Sequence, residues 1–406
     1  MNISPKSTNL ENLLDSLPAT KAGLESKSRL ATFGGEHVAA VGLSGGVDSS
    51  LCAALLLEAG WRVEGMTLWL MSGKGSCCSE GLIDAAGICK QLKIIHHIVD
   101  TRSTFQEEIV EQVIDSYREG ITPIPCSRCN RSVKFSKMVE WAQDNRNICR
   151  IATGHYARIK YSESYKNTEI KKHKGSARNQ LLRGIDKNKD QSYFLYDLTQ
   201  NILGKIVFPL GELTKEDTRK EAERFGLRTA KKAESQDLCL AEHHGSMKAF
   251  IDEYLPAKKG EIVLQDGTLI GEHEGIQHFT IGQRKGLGVS WHHPLHVIKL
   301  EPGSNRVIVA PREESGRTSC TIGEVNWVSI EPPNQPIEVE VQVRYRGTPQ
   351  EAKLIPIEPT KTDIERERPH RCRLIFNKSQ FSITPGQAAV FYKDDLLLGG
   401  GLIQRY

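Results

Sequence analysis

The stretch Val38-Ala39-Ala40-Val41-Gly42-Leu43-Ser44-Gly45-Gly46-Val47-Asp48-Ser49-Ser50 decides the fold of this 406-residue chain. Its first half, Val38–Leu43, is a short apolar run of the kind that forms a buried strand. A Gly- and Ser-rich turn follows, then helical spacing over Ser50–Ala59 that stops at Gly60. Glycines let backbone N–H groups close round an anion, and the helix N-terminus adds positive potential there. Ser44, Ser49 and Ser50 offer hydroxyl donors to phosphate oxygens, and Asp48 offers a carboxylate to the magnesium that accompanies a nucleotide. The Gly-Lys-Ser/Thr ending of a Walker loop is missing, so this is another kind of phosphate loop. A flexible turn accounts for two glycines by themselves; their setting between strand and helix favours the anion site.

Outward from the loop, Val63–Leu70 and Ile94–Val99 read as strands, with helical spacing over Leu82–Leu92 between them. Strands alternating with helices predict a parallel sheet with covering helices. Phe105–Tyr117 reads as a further helix, and Ile151–Thr153 as a strand entering Gly154-His155. From Glu261 onward the signals become short alternating runs, such as Ile262–Leu264 and Thr268–Ile270 around the turn Asp266-Gly267. Arg306–Ala310, Ile337–Tyr345, Cys372–Phe376 and Ala388–Tyr392 continue that pattern and predict a β-barrel or sandwich. The basic insertion Lys160–Arg178 reads as a surface loop.

Composition narrows the class. Apolar residues at 38% and charged residues at 26% suit a globular chain, and no apolar run approaches the roughly 20 residues of a membrane span. The net charge of +4 permits nucleic-acid binding without arguing for it, because recognition needs local basic patches. Met1–Ser28 is polar and mixed in charge, with no apolar centre; it reads as a loosely ordered tail and not as a targeting peptide. Ten cysteines without a signal peptide fit a reducing compartment, where they are buried, catalytic or metal-bound.

The loop resembles that of the pyrophosphate-loop ATPases, which split ATP into AMP and pyrophosphate while adenylating an oxygen. Further segments narrow the resemblance: Pro123-Ile124-Pro125-Cys126-Ser127-Arg128-Cys129-Asn130, Gly154-His155-Tyr156-Ala157, Lys189-Asp190-Gln191-Ser192-Tyr193, Glu234-Ser235-Gln236-Asp237-Leu238-Cys239 and Gly282-Gln283-Arg284-Lys285-Gly286. Taken in this order, from about Val38 to the C-terminus, they resemble the tRNA-specific 2-thiouridylase (MnmA/TrmU) family. The resemblance implies an α/β fold. A parallel-sheet pyrophosphate-loop (adenine nucleotide α-hydrolase-like) domain at 36–245 follows a flexible tail at 1–35. A small central domain at 246–312 and a tRNA-binding β-barrel at 313–406 complete the chain. It also implies ATP-dependent 2-thiolation of the wobble uridine: adenylation of the uracil 2-oxygen, attack by sulfur and loss of AMP. A carbonyl oxygen is a poor leaving group and AMP a good one, which makes the order of steps chemically sensible. ATP and Mg²⁺ are the implied cofactors, tRNA and a persulfide or sulfide donor protein the implied partners, and the cytoplasm the implied location.

By family position Gly42, Leu43, Ser44, Gly45, Gly46, Val47, Asp48, Ser49, Leu68 and Gly154 would hold ATP. His155, Lys189, Asp190, Gln191, Tyr345, Arg346 and Gln387 would face tRNA. Arg344 beside Tyr345 and Arg346 adds a cation suited to phosphate contact. Cys129 matches the family's nucleophile and Cys239 its persulfide carrier. One departure stands out: Cys126 occupies a position that many members fill with Asp. Cys126, Cys129 and Cys239 are three thiolates able to hold a 4Fe–4S cluster with one iron open to sulfide. A C-x-x-C equally suits dithiol redox chemistry, so cluster and persulfide relay both stay open. A structural zinc lacks an obvious fourth ligand. Cys77-Cys78 reads as part of a loop over the nucleotide, and Cys52, Cys89, Cys149, Cys320 and Cys372 as inert thiols. Two other readings remain. A small-molecule synthetase of the same loop class would not need Cys129 or Cys239, and a non-catalytic RNA-binding module would not need the intact loop.

Overall fold

Strand β1 (Val38–Gly42) has Ala39, Ala40 and Val41 fully enclosed, the burial on both faces that marks the middle of a parallel sheet. The computed structural model that contains it describes residues 21–31, 37–72, 79–162, 178–234, 238–360, 368–381 and 383–405. Their contacts divide the chain into two units that do not follow sequence order. The first draws on 1–102, 134–192 and 201–236, the second on 103–133, 193–200 and 237–406.

In the first unit β1 is joined by β2 (Arg62–Trp69), β3 (His96–Asp100), β4 (Ile151–Ala152), a hairpin of β5 (Ala157–Lys160) and β6 (Gln180–Arg183), and β7 (Ile206–Val207). Among the described residues the sheet runs β3-β2-β1-β4-β7 with every neighbouring pair parallel. The helix Val47–Glu58 is apolar nearly all round, because Leu51, Cys52, Leu55 and Leu56 are all buried. Helix Lys215–Arg224 begins at a capping box in which Thr214 and Asp217 satisfy each other's backbone N–H groups.

Within the stretch expected as a tail, residues Lys21–Ala31 form a helix in this unit. Ser26 Oγ donates to the Pro209 carbonyl at 3.0 Å, Trp61 Nε1 donates to the Leu30 carbonyl at 3.0 Å, and Leu30 is buried. The helix is polar along most of its length, KAGLESKSRLA, which is why its composition reads as a tail. The Cys77-Cys78 pair and most of the Lys160–Arg178 insertion lie outside the described residues.

The second unit contains the helix Glu111–Arg118, entered through a π-helical turn at Gln106–Val110 where the sequence reads as one continuous α-helix. It also holds two β-domains. Strands β8 (Gly260–Leu264), β9 (Leu269–His273), β10 (Leu295–Glu301) and β11 (Arg306–Pro311) form a sheet in the order β10-β11-β8-β9 round Ile262, Val297, Val307 and Val309. Asp266-Gly267 makes the expected turn between β8 and β9, with Gly267 at φ +91°. Strands β12 (Arg317–Trp327), β13 (Ile337–Gln342), β14 (Gln350–Ile357), β15 (Arg371–Gln380), β16 (Ala388–Lys393) and β17 (Leu396–Ile403) run β12-β15-β14-β13-β16-β17, and β17 pairs back with β12. That pairing closes a barrel and removes its edges. Alternation along β15 sends Cys372, Leu374 and Phe376 inward against Val341, Leu354 and Phe391.

Candidate active site

In the first unit a cavity of about 280 Å³ opens at the C-terminal ends of β1 and β2, where open α/β sheets place their ligands. Apolar Leu43, Met66 and Leu68 line it together with Ser44, Asp48 and Ser49. Gly45 turns the loop at φ +72°, a conformation a side chain resists. Ser49 Oγ accepts from the Ser44 N–H at 3.2 Å and lies 3.3 Å from Ser44 Oγ, so the two hydroxyls share one corner. Ser49 Oγ also donates to the Gly46 carbonyl at 3.2 Å, and Ser50, unlike Ser49, does not line the cavity. Ser50 is fully buried and its hydroxyl donates to the same carbonyl at 2.8 Å.

Gly154 also lines the cavity and backs onto the start of the loop helix. A Cβ there would sit 2.6 Å from the Asp48 carbonyl carbon and 2.7 Å from the Ser49 nitrogen, so no larger residue fits. His155 shares the cavity. Its ring packs near Phe135 and Phe208 and its Nδ1 lies 2.8 Å from Thr153 Oγ1. Burial, helped by the Lys134 charge, pushes its imidazole down to about 3, so it is neutral at working pH.

Charge collects beside the loop. Asp48 Oδ1 accepts from the Tyr156 phenol at 2.8 Å and from Lys215 Nζ at 2.7 Å. Lys215 also reaches Glu234 Oε1 at 2.8 Å, and Lys189 reaches Glu234 Oε2 at 2.6 Å. Burial alone would raise the Glu234 carboxyl, but the bonds and charges of Lys189 and Lys215 outweigh it and hold the group at about 2. Asp190 accepts from the Gly184 and Ser192 backbone N–H groups and pairs with Arg183, while Gln191 Oε1 accepts from the Tyr156 N–H and lines the cavity. Lys189, Asp190 and Gln191, read from the sequence as RNA-facing, thus all have partners inside this unit. Lys215 and the charge partnership of Glu234 escaped the sequence reading, since their partners lie far along the chain.

The cysteines lie in the second unit. Cys126 belongs to the short helix Pro125–Arg128, and Cys129 opens the π-helical run Cys129–Phe135. π-Turns of this sort gather at functional positions. Cys129 is buried, while Cys126 and Cys239 are half-buried, and Cys239 starts the helix Cys239–His244. Around them Arg131 and Arg368 both pair with Asp197, and Arg128 pairs with Glu108. Among the described residues no group of three or more His, Cys, Asp or Glu side chains is arranged to hold a metal ion. Gln387 Nε2 donates to the Thr122 carbonyl at 2.9 Å and so braces the chain leading to Cys126. Tyr345 packs on Phe194 with ring centres 4.4 Å apart, and the exposed Arg346 lies 5.4 Å over the Tyr345 ring.

The parallel sheet with its phosphate-type loop, followed by two β-domains, defines a multidomain enzyme of the pyrophosphate-loop ATPase class. Residues 37–243 match the tRNA methyl transferase HUP domain, 248–311 the tRNA methyl transferase PRC-barrel domain and 317–403 the aminomethyltransferase beta-barrel domain. The tRNA-specific 2-thiouridylase MnmA of Prochlorococcus marinus strain MIT 9303 is 68% identical over 388 residues, covering 96% of this chain and 95% of that protein. Its counterpart from another strain of the same species is 62% identical over 404 residues and covers 100% of both. A solved structure, the U34-tRNA thiolase NcsA from Methanococcus maripaludis with its 4Fe-4S cluster, is 18% identical with a TM-score of 0.33, covering 58% of this chain and 74% of that one. A likeness that slight decides nothing about the cysteines. The full-length relatives do decide the family: the chain belongs to the MnmA tRNA-specific 2-thiouridylases, enzymes that transfer sulfur to a tRNA uridine. Among the described residues no helix is long and apolar enough to cross a membrane.

Proposed function

We propose that the protein uses ATP to adenylate the 2-oxygen of the wobble uridine in tRNA, replaces that oxygen with sulfur and releases AMP and pyrophosphate in the cytoplasm. The observation that carries the reading is the cavity at the loop. It joins an apolar wall of Leu43, Met66 and Leu68, suited to a base, with the hydroxyls of Ser44 and Ser49, suited to phosphates. Asp48 is a carboxylate on that cavity, and Mg²⁺ commonly takes one or two carboxylates plus substrate phosphates, so the residues fit the ion. When bound it would neutralise phosphate charge. Neutral His155 offers an uncharged hydrogen-bonding edge in the same cavity.

Sulfur reaches the adenylated base through Cys239 and Cys129. A donor protein loads Cys239 as a persulfide; its terminal sulfur attacks C2 and AMP leaves with the bonding pair. The Cys129 thiolate then attacks Cys239 Sγ, which frees the thiocarbonyl and leaves a Cys129–Cys239 disulfide for an external thiol to reduce. Arg344, Tyr345 and Arg346 on the barrel unit contribute to holding tRNA.

Two measurements test this reading. Transfer RNA from cells lacking the protein should lose 2-thiouridine. Purified enzyme with tRNA and ATP should form AMP and pyrophosphate; ADP and phosphate in their place would remove it from the adenylating class.

A further inference from the structure

The loop itself carries no cation. Between Gly42 and Ser50 its charged residue is Asp48, an acid, whereas a Walker loop supplies its own lysine. A triphosphate carries more negative charge than one magnesium ion cancels, so positive charge has to arrive from elsewhere in the fold.

Lys134 lines the cavity itself, on the side of His155, and further cations border the loop from the segment that follows β7. Lys215 Nζ sits 2.7 Å from Asp48 Oδ1, and its side chain is only 12% exposed. Lys232 Nζ sits 3.1 Å from the Gly45 carbonyl oxygen, on the loop backbone itself, and is steadied by Asp84 at 2.5 Å. Glu234 gathers Lys215, Lys189 and, at 3.5 Å, Arg219 on one carboxylate. An ammonium has three donors, and among the described residues Lys215 commits two of them, to Asp48 and Glu234. One N–H is left for a phosphate oxygen. We propose that Lys215 and Lys232 form the subsite for the β- and γ-phosphates of ATP and stabilise pyrophosphate as it leaves, with Glu234 as the residue that positions Lys215. This assignment rests on the ATP reading above and deepens it.

A structural clamp would use the same hydrogen bonds, so the test must separate phosphate binding from folding. Calorimetric titration of ATP, pyrophosphate and AMP into the wild type, Lys215→Met, Lys232→Met, Lys215→Arg and Glu234→Gln does so. Removing one charge-assisted hydrogen bond should weaken ATP and pyrophosphate about 10- to 100-fold in Lys215→Met and in the same direction in Lys232→Met, while AMP changes by less than about threefold. Lys215→Arg should recover most of the affinity, and Glu234→Gln should weaken ATP but not AMP. If Lys215→Met does not fold, the Arg and Gln variants carry the same comparison. ATP affinity unchanged in both lysine variants overturns the proposal. So does an equal loss for ATP and AMP, which marks a collapsed cavity. A wild type that binds no ATP overturns the ATP reading first, and that arm keeps the two failures apart.

Discussion

The phenol of Tyr156 donates to Asp48 Oδ1 across 2.8 Å and contacts Thr218 Oγ1 at 3.0 Å, tying the loop helix to the helix that begins at Lys215. Burial and the Asp48 charge push the phenol above its usual range, so it stays a protonated donor throughout the working pH range. Tyr156→Phe removes that donor and strands the fully buried Thr218 hydroxyl. The expected cost is about 1–3 kcal/mol of stability. A rise in the KM for ATP should accompany it, because Asp48 and Lys215 lose a shared anchor. Thermal melts with steady-state kinetics check this; a variant with wild-type melting would mean that the Thr218 hydroxyl finds another partner.

Glu234 makes a pH prediction with a definite sign. Its folded pKa of about 2 lies below the ordinary 4.5, so its contribution to stability is fully present above 4.5 and is lost as pH falls from there toward 2. Glu234→Gln should therefore be less stable than the wild type at neutral pH, and the gap should narrow on acidification below 4.5. Urea titrations of both proteins at neutral and acid pH read it directly. A gap that stays constant would mean that the carboxylate charge is not what matters.

The barrel arginines make a prediction about RNA. Arg344 and Arg346 are exposed on either side of Tyr345, which is anchored on Phe194. Replacing both with alanine should weaken tRNA binding. The slope of log affinity against log salt should fall by about 1 for each phosphate that is no longer neutralised. Filter binding across a salt series measures it. An unchanged slope would move the RNA surface to other residues.

The loop is legible in the sequence because its signals are local: glycines, hydroxyls and an acid set between a strand and a helix. Asp266-Gly267 is legible for the same reason. What fails to show is tertiary. The Ser50 hydroxyl bonds one turn back to Gly46, and nothing in the residue type separates that from a phosphate donor. Asp190 closes its own turn on Gly184 and Ser192, a use that a charged triplet does not announce. Lys215 meets Asp48 and Glu234 only after folding, and the segment 103–133 packs with the second unit although it is threaded through the expected catalytic domain.

The cysteines carry the sharpest prediction. Cys129 is buried and Cys239 half-buried, so a donor protein and a small alkylating reagent should both reach Cys239 first. Limited alkylation followed by peptide mass spectrometry should label Cys239 well before Cys129. Cys129→Ala and Cys239→Ala should each abolish thiolation while retaining ATP and tRNA binding, because sulfur transfer follows adenylation. After one turnover without reductant the wild type should hold a Cys129–Cys239 disulfide, and neither variant can form it. Near-normal thiolation in either variant would sink the relay. Cys126 supplies the remaining discrimination. If it only replaces an acid, Cys126→Asp keeps activity and protein purified without oxygen is colourless. Brown protein with about four irons per chain, lost in Cys126→Ser, would put a cluster in place of the persulfide.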